Sequence, residues 1–186
     1  AGFGVRGTFE ALGLEDYRRQ LETNVFGLMR TVAASLPELH RTRGRLALIG
    51  SVSGYVSAPG TSAYAMSKFA VRALAEALYH ELRVEGISVT HIAPGLIESE
   101  FRLKDDHGQL KPAATDNAPG WLILPTDVAA RRIVRAVEGR RREAVITAHG
   151  KLLVFLSRLA PRLSSRLVGG TWRREQAARH LKGAGT

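Results

Sequence analysis

The chain has 186 residues, 45% hydrophobic and 24% charged, which is the composition of one globular domain large enough to bury a core. It contains no cysteine, which excludes disulfides and thiolate metal sites, and no His, Asp and Glu cluster has metal-ligand spacing. The formal net charge is +10, and residues 131–186 hold the whole basic excess. No signal peptide or transmembrane segment is visible, so a cytoplasmic location is expected, with membrane association left open by the basic end.

The first elements alternate between helix and strand. Apolar residues recur at helical spacing over residues 14–40, and they do so again over residues 61–85. Between these predicted helices, residues 46–51 form a continuous apolar run that suits a strand buried on both faces. A second strand is predicted over residues 87–92. This alternation indicates an α/β fold with a parallel sheet.

The later elements continue the pattern. Residues 98–124 are polar and rich in Pro and Gly, which predicts an irregular loop. A helix over residues 127–138 and a short strand over 144–147 follow. Residues 1–149 therefore make the main domain, and residues 150–186 make a basic C-terminal extension.

Three polar residues have the spacing of a catalytic set. Ser51, Tyr64 and Lys68 stand as S-x12-Y-x3-K, and Asn24 lies 27 residues before the serine. Tyr64 and Lys68 lie four residues apart in one predicted helix, which puts both on the same face. A neighbouring ammonium stabilises a phenolate and lowers the tyrosine pKa, so the phenol becomes a usable acid or base. Each residue alone also fits a structural role: a turn at a strand end, a solvated charge or an exposed helix position.

Residues 44–71, together with N-V-F-G at Asn24 and the Pro94-Gly95 turn after a strand, resemble the short-chain dehydrogenase/reductase family. The resemblance covers residues 1 to about 149. It implies a Rossmann-type doubly wound parallel sheet of which this chain holds the C-terminal part only. Under that alignment, Ala1-Gly2 are the end of the family's N-A-G turn, and the glycine-rich loop and first strands would precede them.

The resemblance also implies roles for the site residues. Tyr64 would be the general acid or base, Ser51 would bind the substrate oxygen, and Lys68 would hold the nicotinamide ribose. Asn24 would kink its helix and hold a water of the proton relay. Pro94, Gly95 and the backbone of Ile97 would contact the nicotinamide, with Ala1 and Gly2 beside it. The cofactor would be NAD or NADP, NADP being slightly favoured, and the loop 98–124 would cover the substrate, with Phe101 and Trp121 as candidate apolar contacts or as simple loop packing.

Gly2 to Gly7 match G-x-G-x-x-G, the pattern of a pyrophosphate-binding turn. That function requires a strand before the motif, and only one residue precedes it. We therefore expect a loop here rather than a phosphate site.

The basic extension has an amphipathic pattern. Leucines and arginines recur every three or four residues over 151–168, interrupted by Pro161. Such a helix can lie on an anionic membrane surface, line an apolar substrate entrance, or pack on its own domain or a partner subunit. Nucleic acid is not expected as a partner, because no recognition motif accompanies the charge.

Two function classes follow from the sequence. One is an NAD(P)-dependent oxidoreductase that interconverts a small-molecule carbonyl and a secondary alcohol, with an apolar or lipid-like substrate suggested by the tail. The other is a catalytically incompetent fragment that serves as an assembly or membrane-surface module. A homo-oligomer through helices 14–40 and 61–85 is expected in either case.

Overall fold

The computed structural model describes residues 2–103, 109, 118–170 and 172. Five helices are α1 Leu14–Leu21, α2 Gly27–Thr42, α3 Ser62–Arg83, α4 Thr126–Glu138 and α5 Ala148–Leu159. Three strands are β1 Arg45–Ile49, β2 Ser88–Ala93 and β3 Glu143–Val145. A further helical segment, α6, covers residues 161–170.

The three strands form one parallel sheet in the order β1-β2-β3. Every residue of the central strand β2 is buried. The continuous apolar run of β1 predicts a strand buried on both faces, and this prediction is wrong for the described residues. Only Leu48 is buried in β1 and Ile49 is 46% exposed, because β1 has one neighbouring strand among the described elements and forms the edge of the sheet.

Helices cover both faces of the sheet, as in a doubly wound fold. On one face, Leu48 and Val89 pack with Val32 of α2 and Val71 of α3. The opposite face packs on α4, where Ile92 meets Ala129 and Ala136. Successive residues of a strand point to opposite faces of the sheet, so each strand can pack against helices on both sides. This packing confirms the predicted α/β class.

The first helix is continuous from Leu14 to Thr42 but changes geometry in the middle. One π turn, Glu22–Phe26, separates α1 from α2. Asn24 lies in that turn and is buried. The turn locally replaces the usual i→i+4 bonding by an i→i+5 bond from Gly27 N–H to the Glu22 carbonyl, so the irregularity falls at the position where the resemblance implies a kink.

The basic extension forms two helices rather than one. α5 ends at Leu159, and α6 begins at Pro161, because proline cannot donate the backbone hydrogen bond needed to continue α5. Within the part of the chain that the structure describes, no helix is long and apolar enough to cross a bilayer.

The loop that follows β2 is described only at its ends. Ile97 and Leu124 form a parallel bridge, and short turns occupy Glu100–Leu103 and Gly120–Leu122. The remainder of the predicted loop 98–124, apart from residue 109, lies outside the described residues, as do Ala1 and the end of the extension beyond residue 172.

Candidate active site

Ser51 and Tyr64 meet at the carboxyl end of β1. Ser51 follows the strand and begins the short turn Val52–Gly54, where its Oγ accepts a hydrogen bond from Ser53 N–H at 3.1 Å. Tyr64 lies in the first turn of α3. The Ser51 hydroxyl lies near enough to the Tyr64 phenol to act on its pKa. The predicted pair therefore lies together in the fold.

Lys68 lies one turn after Tyr64. Its Nζ is 5.6 Å from the centroid of the tyrosine ring and donates a hydrogen bond to the Ile49 carbonyl at 3.1 Å. Burial lowers the pKa of Lys68 to about 8. The ammonium is therefore the major form at neutral pH, and it becomes a minor form within the mildly alkaline range.

The direction of the Tyr64 pKa differs from the prediction. Burial raises the pKa of the phenol above its usual range, because a buried phenolate loses hydration. The hydrogen bond from Ser51 and the positive charge of Arg6 act in the opposite direction and are smaller. Lys68 is directed to the Ile49 carbonyl and stands over the ring instead of at the phenol oxygen, so in this structure the protonated phenol is favoured.

Asn24 belongs to a polar network behind the tyrosine. Its Nδ2 donates to the Phe3 carbonyl and to Ser67 Oγ, both at 3.1 Å, and Ser67 Oγ donates to the Tyr64 carbonyl. Asn24 Oδ1 is buried and has no hydrogen-bond partner among the described residues. A β-carbon on Gly2 would lie 3.2 Å from that oxygen. The network connects the π turn and the chain after Gly2 to the start of α3.

The Pro94–Ile97 turn is held from two sides. Its Pro94 carbonyl accepts a hydrogen bond from Val52 N–H at 2.9 Å, which places the turn beside the Ser51 segment. On the other side, the Leu96 N–H donates to His149 Nε2 at 3.1 Å. A β-carbon on Gly95 would overlap Thr147 Oγ1 and crowd His149. This close packing requires glycine at that position.

Sequence reasoning missed Thr147, His149 and Arg6 at this site. The signal for the first two was weak: they follow β3, whose carboxyl end lies at the same edge of the sheet as those of β1 and β2. Burial lowers the pKa of His149, so its ring is neutral and Nε2 can accept the Leu96 hydrogen bond. Nothing in the sequence around Arg6 indicates its approach to Tyr64.

The N-terminal glycines and the loop after β2 supply an apolar wall. The rings of Phe101 and Tyr64 lie 5.5 Å apart between centroids, and a β-carbon on Gly4 would lie 3.4 Å from both rings. Trp121, in contrast, is 84% exposed and does not contribute to this wall.

The G-x-G-x-x-G pattern of residues 2–7 lies in a loop rather than at a helix N-terminus. Gly7 N–H donates to the Gly60 carbonyl, and α1 begins only at Leu14.

A second polar cluster supports the segment before Ser51. Gly50 is buried, and a β-carbon there would overlap His91 Nε2. His91 Nδ1 lies 3.0 Å from the Tyr55 hydroxyl, and the Arg72 guanidinium stacks over the Tyr55 ring at 4.1 Å. The buried His91 ring therefore packs against the backbone directly before Ser51.

A parallel sheet with helices on both faces, and with polar side chains gathered at the carboxyl ends of its strands, has the architecture of doubly wound nucleotide-binding folds. The family model for short chain dehydrogenases matches residues 1–109. The chain belongs to the short-chain dehydrogenase family.

Individual relatives agree with this assignment. The dehydrogenase/reductase SDR family member 7B of Bos taurus is 33% identical over 184 residues, which cover 97% of this chain and 56% of that protein. The uncharacterized oxidoreductase YbbO of Escherichia coli K12 is 40% identical over 105 residues, 54% of this chain and 38% of that protein. The chain thus spans about half the length, or less, of these curated relatives.

A solved structure confirms the fold. A short chain dehydrogenase from Burkholderia cenocepacia, solved in complex with NADP, superposes with a TM-score of 0.75 at 22% identity, covering 90% of this chain and 66% of the other. The predicted Rossmann-type doubly wound architecture is therefore confirmed by comparison as well as by the packing of helices on both faces.

Proposed function

We propose that the chain carries the catalytic site of an NAD(P)-dependent oxidoreductase that interconverts a carbonyl and a secondary alcohol. The observation that carries the proposal is the placement of Ser51 at the end of β1 and of Tyr64 in the first turn of α3, with Lys68 Nζ 5.6 Å from the tyrosine ring. This set offers a proton donor, a second donor for the substrate oxygen and a cation beside them.

The residues present fit the nicotinamide end of a dinucleotide. Lys68 donates one hydrogen bond within the described part of the chain, to Ile49, and its ammonium has further donors for the ribose hydroxyls. The Pro94–Ile97 backbone, which is held by the hydrogen bond from Leu96 N–H to His149, would bind the nicotinamide carboxamide. Gly2 would lie beside the nicotinamide. A bound nicotinamide cofactor would supply or accept the hydride. The cofactor would be NAD or NADP, and the resemblance to the family slightly favours NADP.

The chain's own residues would handle the proton. In the reducing direction Tyr64 Oη gives its proton to the substrate oxygen as the carbonyl carbon receives the hydride, which leaves an alcohol and a phenolate. Ser51 hydrogen-bonds the same substrate oxygen and stabilises the charge that develops there. Asn24 and Ser67 hold the backbone of Tyr64, and Asn24 would also hold a water of the proton relay. The raised pKa keeps Tyr64 protonated at neutral pH, which is the form that reduction uses, whereas oxidation needs the phenolate and would therefore accelerate as pH rises.

The wall formed by Phe101 and Gly4 indicates the substrate class. An aromatic ring tilted against Tyr64 at 5.5 Å presents apolar surface to the group that carries the carbonyl. A ketone with an apolar substituent fits this surface better than a charged sugar acid.

The test is consumption of NADH and NADPH with a series of ketones of increasing apolar size. We expect turnover that Tyr64→Phe lowers by about 10²–10⁴-fold, since the general acid is removed. Tyr79→Phe, on the outer part of the same helix, is the matched control and should leave the rate unchanged. The assay is run on this chain and on a longer version with a glycine-rich nucleotide-binding turn upstream. Equal rates for Tyr64→Phe and the parent, or no turnover in either version, would contradict the proposal.

A homo-oligomer through the two long helical segments is a separate proposal. Four apolar side chains on these segments are between 41% and 51% exposed: Phe26, Met29, Met66 and Phe69. Their burial against a second copy would remove apolar surface from water. Sedimentation velocity should show a larger species that Phe69→Glu dissociates, while Val84→Glu, at an 83% exposed position, should not. A monomer at all concentrations would contradict this.

A further inference from the structure

The two C-terminal helices expose a row of large apolar side chains. In α5, Leu152, Phe155 and Leu159 recur at helical spacing and are 60%, 58% and 69% exposed. In α6, Leu163 and Leu167 lie one turn apart and are 48% and 51% exposed. The opposite sides of both helices pack inward, through Val154 and Ser164 among others. We name the five exposed residues together the C-terminal face.

Three cations are sequence neighbours of residues of this face. Lys151, Arg162 and Arg166 are exposed and form no ion pair with any residue that the structure describes. Arg158, by comparison, is bound to both oxygens of Glu143 at 2.9 Å. The sequence from residue 144 to residue 174 contains no acidic residue at all. No carboxylate that the structure describes therefore neutralises Lys151, Arg162 or Arg166.

We propose that the C-terminal face docks on an anionic lipid bilayer, with its apolar residues in the interface and Lys151, Arg162 and Arg166 against the lipid headgroups. Apolar side chains beside unpaired cations are the two features that amphipathic surface helices use together. In this arrangement the face lies in the plane of the membrane, as amphipathic surface helices do.

Two other occupants fit the same surface less well. A second copy would place its own unpaired cations against these cations, with no acidic side chain between residues 144 and 174 to offset them. The phosphates of a nucleic acid would form ion pairs with the cations, but they would not bury the five exposed apolar side chains. Charge complementarity and apolar burial together favour an anionic bilayer.

Vesicle sedimentation tests the proposal with the whole chain. We expect binding to phosphatidylcholine vesicles containing about one third phosphatidylserine, and binding at least about tenfold weaker to pure phosphatidylcholine or at high salt. Leu152→Gln with Leu159→Gln, and separately Arg162→Gln with Arg166→Gln, should each lower binding about tenfold or more. Matched controls are Leu14→Gln with Val84→Gln, which are 72% and 83% exposed elsewhere, and Arg18→Gln with Arg41→Gln.

A second measurement does not depend on how the glutamine variants fold. Because the chain contains no cysteine, Phe155→Cys can be labelled singly with an environment-sensitive fluorophore. Anionic vesicles should shift its emission to the blue, and the same label at Val84→Cys should not respond. These readouts need no turnover, so they are independent of the proposed activity.

Three results would overturn the proposal. The first is the absence of vesicle binding together with no response from the label at residue 155. The second is binding that the face variants and the control variants reduce equally. The third is a dimer or a duplex DNA complex that the leucine or arginine variants abolish while vesicle binding is absent.

Discussion

The surroundings of Tyr64 and the C-terminal face place their polar groups in opposite ways. Around the tyrosine, Asn24 and Lys68 donate to backbone carbonyls, and Ser51 Oγ accepts from the backbone N–H of Ser53. The C-terminal face instead exposes five apolar side chains, and the neighbouring Lys151, Arg162 and Arg166 form no ion pair with a described residue. The first arrangement is suited to chemistry on a small molecule, and the second to contact with a large surface. The same sheet edge connects them, because His149 at the start of α5 holds the Leu96 N–H.

The largest expected effect that tests this contrast is the change in kcat/KM when Lys68, the cation directed into the protein, is removed. Lys68→Met should lower kcat/KM by about 10- to 100-fold, because a charged hydrogen-bond donor to the ribose and the positive charge beside Tyr64 are both lost. The outward cation Lys151 supplies the matched control: Lys151→Met should leave kcat/KM unchanged and weaken vesicle binding. Steady-state kinetics with varied cofactor concentration makes the measurement. Comparable losses in the two variants would remove the distinction between the regions.

A smaller effect, on the stability of the fold, is expected at Gly50, the residue before Ser51. Gly50→Ala should destabilise the fold by about 1–3 kcal/mol, because the new methyl group would overlap the buried His91 ring. Gly120→Ala is the control, since a β-carbon there meets nothing within 4 Å. Urea unfolding measures both, and His91→Ala in the Gly50→Ala background should recover part of the loss. Equal stability for the two alanine variants would show that the contact is not tight.

The smallest effect concerns acid stability. Burial is the main reason that the pKa of His91 is lowered to about 4; the charge of Glu143 opposes this shift, and those of Arg72 and Lys68 add to it. The unfolded chain takes up this proton near the ordinary pKa of about 6.5, so stability is present above that pH and is lost as pH falls toward 4. Between pH 7.5 and 5.5 the loss should be about 1 kcal/mol.

His91→Gln isolates that contribution. The variant should lose less stability than the parent over the same pH interval, whereas His80→Gln, at an exposed position of α3, should behave like the parent. The check is the urea midpoint at both pH values. An unchanged pH slope in His91→Gln would assign the acid sensitivity to other groups.

The sequence predicted the alternation of helix and strand because long elements carry clear apolar periodicity. It also predicted the meeting of Ser51, Tyr64 and Lys68, since two of them share a helix and the third follows the preceding strand. It did not predict the exposure of Ile49, because the number of neighbouring strands is a property of the whole sheet. The direction of the Tyr64 pKa was wrong for a similar reason: the sequence shows a nearby lysine, but burial and the turn of Lys68 toward Ile49 are tertiary features.

Thr147 and His149 illustrate a second limit of sequence reasoning. They lie more than fifty residues after the Pro94–Ile97 turn, and only the parallel pairing of β2 with β3 brings them to it. The C-terminal extension shows the reverse case. Its amphipathic pattern and the interruption at Pro161 were visible in the sequence, yet the exposure of its leucines required the structure.

The most direct test of the central claim is a double-mutant cycle between Ser51 and Tyr64 in NADPH-dependent ketone reduction. If the two residues act on one substrate oxygen through a shared hydrogen bond, Ser51→Ala and Tyr64→Phe are not independent. We predict that the double variant is about as slow as Tyr64→Phe alone. Rate losses that multiply in the double variant would contradict a joint catalytic role for the pair.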